Sequence, residues 1–76
     1  MALIKKLEPM AMDFNRVHEP VDCTYTVFSD EIGSKYLQID TYGSSSRKIK
    51  GKKSQSLQFS EQSLRELKGI IEKYLH

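Results

Sequence analysis

Few side chains in this sequence are equipped for covalent or acid–base chemistry: one cysteine, Cys23, and two histidines, His18 and His76. A thiolate–imidazole nucleophile needs such a pair within hydrogen-bond reach, and a third group to orient the base. His18 lies five residues before Cys23, but nothing nearby supplies the third group, and 76 residues leave little room for a substrate pocket. Free cysteine is among the most buried residue types, so Cys23 reads as a core-facing strand residue. His18 reads as structural or solvated, and His76 as a terminal residue. A zinc site needs three or four ligands at suitable spacing, which one Cys and two His do not provide. The carboxylates are scattered singly, so no general acid/base pair is indicated. The expectation is a protein that is not an enzyme, with no cofactor and no metal.

The stronger chemical signal is cationic. Arg47, Lys48, Lys50, Lys52 and Lys53 place five positive charges in seven positions. Lys and Arg neutralise phosphates and give salt-dependent affinity. Tyrosine rings offer flat faces on which unpaired bases stack. Tyr36 and Tyr42 precede the basic run, and Ser54, Ser56 and Gln58 follow it with hydrogen-bonding groups. The candidate nucleic-acid-binding residues are therefore Tyr36, Tyr42, Arg47, Lys48, Lys50, Lys52 and Lys53. The stretch Gly43-Ser44-Ser45-Ser46-Arg47-Lys48 could hold an anion through backbone N–H groups. The same surface would also suit an acidic protein, so a protein-interaction module, an adaptor or inhibitor from a bacterial mobile element, stands as the alternative function.

These residues need elements to position them. Cys23 to Phe28 alternates with period two and is rich in strand formers. Tyr36 to Tyr42 repeats the pattern, with Leu37, Ile39 and Thr41 on one face and Tyr36, Gln38, Asp40 and Tyr42 on the other. Between them, Ser29 to Ser34 is a turn with Gly33 available for positive φ, so the two strands form an antiparallel hairpin. Gly43 and three serines break the second strand. Gln55 to Phe59 alternates as a further strand, and Asp40 is expected to pair with a basic side chain across the strand or from the loop. Ser60 is a good N-cap with Glu61 in the first turn, and a helix runs to about Leu75. Leu64, Leu67, Ile70, Ile71, Tyr74 and Leu75 make one apolar stripe at helical spacing. Gly69 costs that helix about 1 kcal/mol against Ala, and close packing is one reason for it.

The first twenty residues are less patterned. Ala2-Leu3-Ile4 reads as a short strand, followed by an extended segment between Pro9 and Pro20 that lays Met10, Met12, Phe14 and Val17 over the core. The fold class is α+β: an antiparallel four-stranded, curved β-β-β-β-α sheet with one C-terminal helix. The chain makes a single domain over 1–76, with an irregular N-terminal strand and extended segment over 1–20, antiparallel strands over 23–59 and the helix over 60–75.

Composition bounds the rest. The formal charge is +2, with 38% hydrophobic and 29% charged residues, too apolar for a disordered tail and too polar for a membrane protein. The charge is unevenly spread. Residues 1–30 hold three basic and five acidic side chains, net −2; residues 31–76 hold nine and five, net +4. One cysteine excludes an internal disulfide, and the expected location is cytoplasmic, with no signal peptide and no membrane partner. A chain this short buries only about 60% of its unfolded surface and is marginal alone. The helical stripe is wider than a small sheet covers, so a homodimer through the C-terminal helix is expected.

The order Tyr36-Leu37-Gln38-Ile39-Asp40-Thr41-Tyr42, basic loop to Lys53, Ser54-Gln55-Ser56-Leu57-Gln58-Phe59-Ser60 and helix resembles the C-terminal domain of the transcriptional positive cofactor four family. The resemblance covers about residues 36–75. It implies a curved four-stranded sheet, a homodimer formed through the helices and binding of single-stranded DNA or RNA across the sheet. The block Thr41-Tyr42-Gly43-Ser44, Arg47, Gly51-Lys52, Ser54-Gln55-Ser56 and Gln58 also resembles one in a family of small uncharacterised bacterial proteins. Some of those carry a formyltransferase-like label, but this chain lacks the folate site and the Asn/His/Asp constellation that formyl transfer needs. Residues and resemblance together point to a non-catalytic module preferring single-stranded nucleic acid.

Overall fold

The structure is a computed structural model and describes residues 1–11, 15–43 and 53–75. Four strands and one helix follow in the order β1 (Ala2–Ile4), β2 (Cys23–Ser29), β3 (Lys35–Thr41), β4 (Gln55–Ser60) and α1 (Glu61–Tyr74). The class is α+β, with one four-stranded sheet in the order β1-β4-β3-β2.

Local chemistry accounts for the central hairpin. The Asp30 carboxylate accepts from the N–H groups of Ile32 (3.0 Å) and Ser34 (2.9 Å), closing the turn through its own side chain. Gly33 sits at φ 89° and Gly43, which ends β3, at φ 79°, a region that residues with a Cβ rarely adopt. The turn sets the register, so Tyr25 stands opposite Ile39, Thr26 opposite Gln38 and Phe28 opposite Tyr36. β4 then pairs antiparallel with the other side of β3, placing Leu37 opposite Phe59 and Asp40 opposite Ser56.

One expectation is corrected. The sheet is mixed, not wholly antiparallel: β1 pairs parallel with β4, Ala2 with Leu57 and Ile4 with Phe59. A parallel partner needs a crossover connection, not a hairpin turn. Here the connection from β1 to β4 contains β2 and β3, and its first part is tied down where the Leu7 N–H donates to Glu66 Oε1 on the helix (2.9 Å). Of the four residues expected to lie over the core, Met10 and Val17 are instead exposed, while Met12 and Phe14 lie outside the described residues.

The helix begins with no linker. Ser60 ends β4 and is the N-cap, its hydroxyl accepting from the Ser63 N–H and donating to the Ile4 carbonyl. Glu61 sits in the first turn, where its charge suits the positive helix end and where it accepts from the Lys35 N–H at 3.0 Å. The helix thus packs on the face of Leu37 and Phe59; Val27, Leu37 and Leu64 line one open depression there.

The core is thin. Among the described residues Phe59, 8% exposed, is the only apolar side chain that is fully buried. From Lys68 to Leu75 every helical position is exposed, including Ile70, Ile71, Tyr74 and Leu75 of the apolar stripe. Cys23 is exposed, which corrects the expectation that it is buried. It stands on the helix side of β2, four residues from Val27, which is the β2 residue that lines the depression beside Leu64 of the helix. Gly69 faces open space, so close packing does not explain it. The radius of gyration is 14.8 Å, against about 11 Å for a compact chain of this length.

Candidate nucleic-acid interface

Strand periodicity puts the candidate aromatic and polar side chains on the sheet face away from the helix. β3 contributes Tyr36, Gln38 and Asp40, with Tyr42 just beyond its end. β4 contributes Ser56, Gln58 and Ser60, and β2 contributes Thr24, Thr26 and Phe28.

A continuous hydrogen-bond chain crosses this face. Gln58 Nε2 donates to Gln38 Oε1 (2.9 Å), and Gln38 Nε2 donates to both Asp40 oxygens (3.0 and 3.3 Å). Ser56 Oγ donates to Asp40 Oδ1 at 2.5 Å, and Lys53 Nζ lies 3.4 Å from Asp40 Oδ2. An ionised carboxylate only accepts, so Asp40 fixes which end of the Gln38 amide faces it, and Gln38 in turn orients Gln58. Asp40 is 3% exposed although it stands on the open face. The Ser56 hydroxyl, above all, holds its carboxyl below the usual range, with further help from the Gln38 amide and the Lys53 ammonium, against the opposing pull of desolvation. The expected pairing of Asp40 with a basic side chain is met by Lys53.

The two candidate tyrosines are not brought together. They stand six positions apart along extended chain, roughly 20 Å at strand spacing. Tyr36 stacks on Phe28, with centroids 5.4 Å apart and planes at 23°. Its hydroxyl donates to Asp30 Oδ2 at 2.9 Å, which raises its pKa above the ordinary tyrosine value. Tyr42 lies at the other end, its hydroxyl 2.9 Å from Thr24 Oγ1. Lys53 sits beside Asp40; Arg47, Lys48, Lys50 and Lys52 lie outside the described residues.

Phe28 was absent from the sequence-derived set. The signal for it was the turn length: once the hairpin register is fixed, Phe28 falls opposite Tyr36 on the same face. The Gln38–Gln58 pair follows from the register of β3 with β4 in the same way. Among the described residues no three His, Cys, Asp or Glu side chains converge to hold a metal ion, and no helix is long and apolar enough to cross a membrane.

No family model, curated protein or solved structure matches the chain.

Proposed function

We propose that this protein binds single-stranded nucleic acid, without catalysis, across the helix-free face of its sheet. The observation that carries the reading is the arrangement of that face. A polar lane of Gln58, Gln38 and Ser56 runs between an aromatic pair, Phe28 and Tyr36, at one end and Tyr42 at the other. Tyr42 adjoins the segment that holds five cations in seven residues. Bases would stack on the aromatic rings while Arg47, Lys48, Lys50 and Lys52 hold phosphates. Lys53 already faces Asp40, so its first role is to neutralise the carboxylate on a surface meant for an anion.

The active form in this reading is a homodimer. The chain leaves bare a helical stripe, Ile70, Ile71, Tyr74 and Leu75, and a sheet row with Tyr25 74% and Leu57 43% exposed. One copy's stripe is the kind of surface that the other copy's row lacks, which is the self-complementarity a two-fold assembly requires.

A salt titration with a 20-nucleotide single strand tests the reading. With about four phosphates neutralised, log K should fall against log salt with a slope near −3. Tyr42→Ala should cost about 1–3 kcal/mol of binding with little change in slope, because stacking releases no counterions. Absence of binding at low salt would overturn the proposal.

A further inference from the structure

The nucleic-acid reading draws on the acidic segment of the molecule only through Phe28 and leaves its carboxylates without a role. From Val17 to Ser34 the sequence holds Glu19, Asp22, Asp30 and Glu31 and neither Lys nor Arg. This segment contains β2, one edge of the sheet. Among the described residues β2 pairs with β3 alone, and all seven of its residues are exposed. Half of the N–H and C=O groups of such a strand point away from its neighbour. Natural edges are usually blunted by a lysine, a proline, an inward-pointing charge or a bulge. Cys-Thr-Tyr-Thr-Val-Phe-Ser has no charged residue or proline, and its register with β3 is unbroken over all seven pairs. On its helix side Tyr25 and Val27 are exposed apolar residues.

We propose that β2 is a docking edge for an extended segment of a partner protein that adds as a fifth strand and carries basic residues at its ends. The backbone ladder supplies affinity, and Val27, outside the Tyr25–Leu57 row assigned to the dimer, receives an apolar side chain. Glu19 and Asp22 at one end of β2, and Asp30 and Glu31 at the other, select the partner by charge. The same acids argue against the other occupants. A nucleic-acid strand would meet four carboxylates, and a second β2 paired antiparallel about Thr26 would set Asp22 against Asp30.

The test uses the intact protein and three synthetic peptides with an alternating Thr-Val centre: one ending in lysines, one ending in glutamates, and one lysine-ended with a central proline. Binding is read by anisotropy of a labelled peptide and by amide exchange along Cys23–Ser29. The lysine-ended peptide should bind roughly five- to tenfold tighter than the glutamate-ended one and protect alternate β2 amides, while the proline peptide should not bind. Asp22→Lys with Glu31→Lys changes two exposed carboxylates that make no side-chain hydrogen bond among the described residues, and it should abolish the preference between peptide ends in that variant, because each end of β2 then carries one acid and one lysine. Equal binding of the two peptides, or binding that leaves the β2 amides exchanging freely, overturns the proposal. So does protection of β2 in concentrated protein alone, which would assign the edge to a second copy. Protection by a single-stranded oligonucleotide would overturn it too, and would assign the edge to nucleic acid.

Discussion

The two faces of the sheet invert the usual arrangement. The face without a helix holds the buried charge: Asp40, almost wholly enclosed, satisfied by Ser56, Gln38 and Lys53. The face with the helix holds the exposed hydrophobics: Tyr25, Val27, Leu57 and the outer half of the helical stripe. A buried carboxylate persists only where its lone pairs are filled, so the polar face is complete within one chain. Exposed apolar area in quantity suits a surface that meets a partner, which the proposed homodimer would supply. The difference teaches that this short chain spends its internal order on the face proposed to meet the ligand.

The sharpest way to break the contrast is to strike Phe59, the one apolar side chain that, among the described residues, the helix side does bury. Phe59→Ala should cost about 3–5 kcal/mol, much of the stability of a domain this size, which is about 4–11 kcal/mol. Urea unfolding reads the loss. A change below about 1 kcal/mol would mean that the helix side is not where the fold is held.

Next in size is the bare half of the helix. Ile71→Asp places a charge on a side chain that is 45% exposed. It should halve the solution mass seen by light scattering and abolish the rise of Tm with protein concentration that an obligate pair shows. A monomer at high micromolar concentration in the unmodified protein would sink the dimer.

The smallest effect belongs to the polar face and is read by pH. The folded-state pKa of Asp40 lies below its ordinary value of 3.8. Its contribution to stability is therefore present above 3.8 and is lost as pH falls through the folded value. Thermal melts from pH 7 to pH 3 should show an acid limb that flattens in Asp40→Asn. An unchanged limb would place the acid sensitivity elsewhere.

The hairpin was legible in the sequence because turn chemistry and period-two alternation are both local. Asp30 and Gly33 specify the turn, and the turn specifies which residues of β2 and β3 share a face. Ser60 announced the helix for the same reason. The direction of β1 was not legible, because alternation says which side of a strand is apolar and nothing about the partner a crossover will bring beside it. Cys23 was misplaced because its alternation identifies a face correctly, whereas burial also depends on how far the helix extends across that face. The Phe28–Tyr36 pair needed the register, and the register needed only the turn.

The parallel pairing of β1 with β4 also has a kinetic meaning. Ala2 meets Leu57 across most of the chain, and closing so long a loop costs entropy before any contact repays it. During synthesis β1 emerges before its neighbour in the sheet, β4, with β2 and β3 made between them. The β2–β3 hairpin can form early on its own local signals. The sheet cannot close at its β1 edge until β4 leaves the ribosome, so the first of these four strands to be made is among the last to be secured.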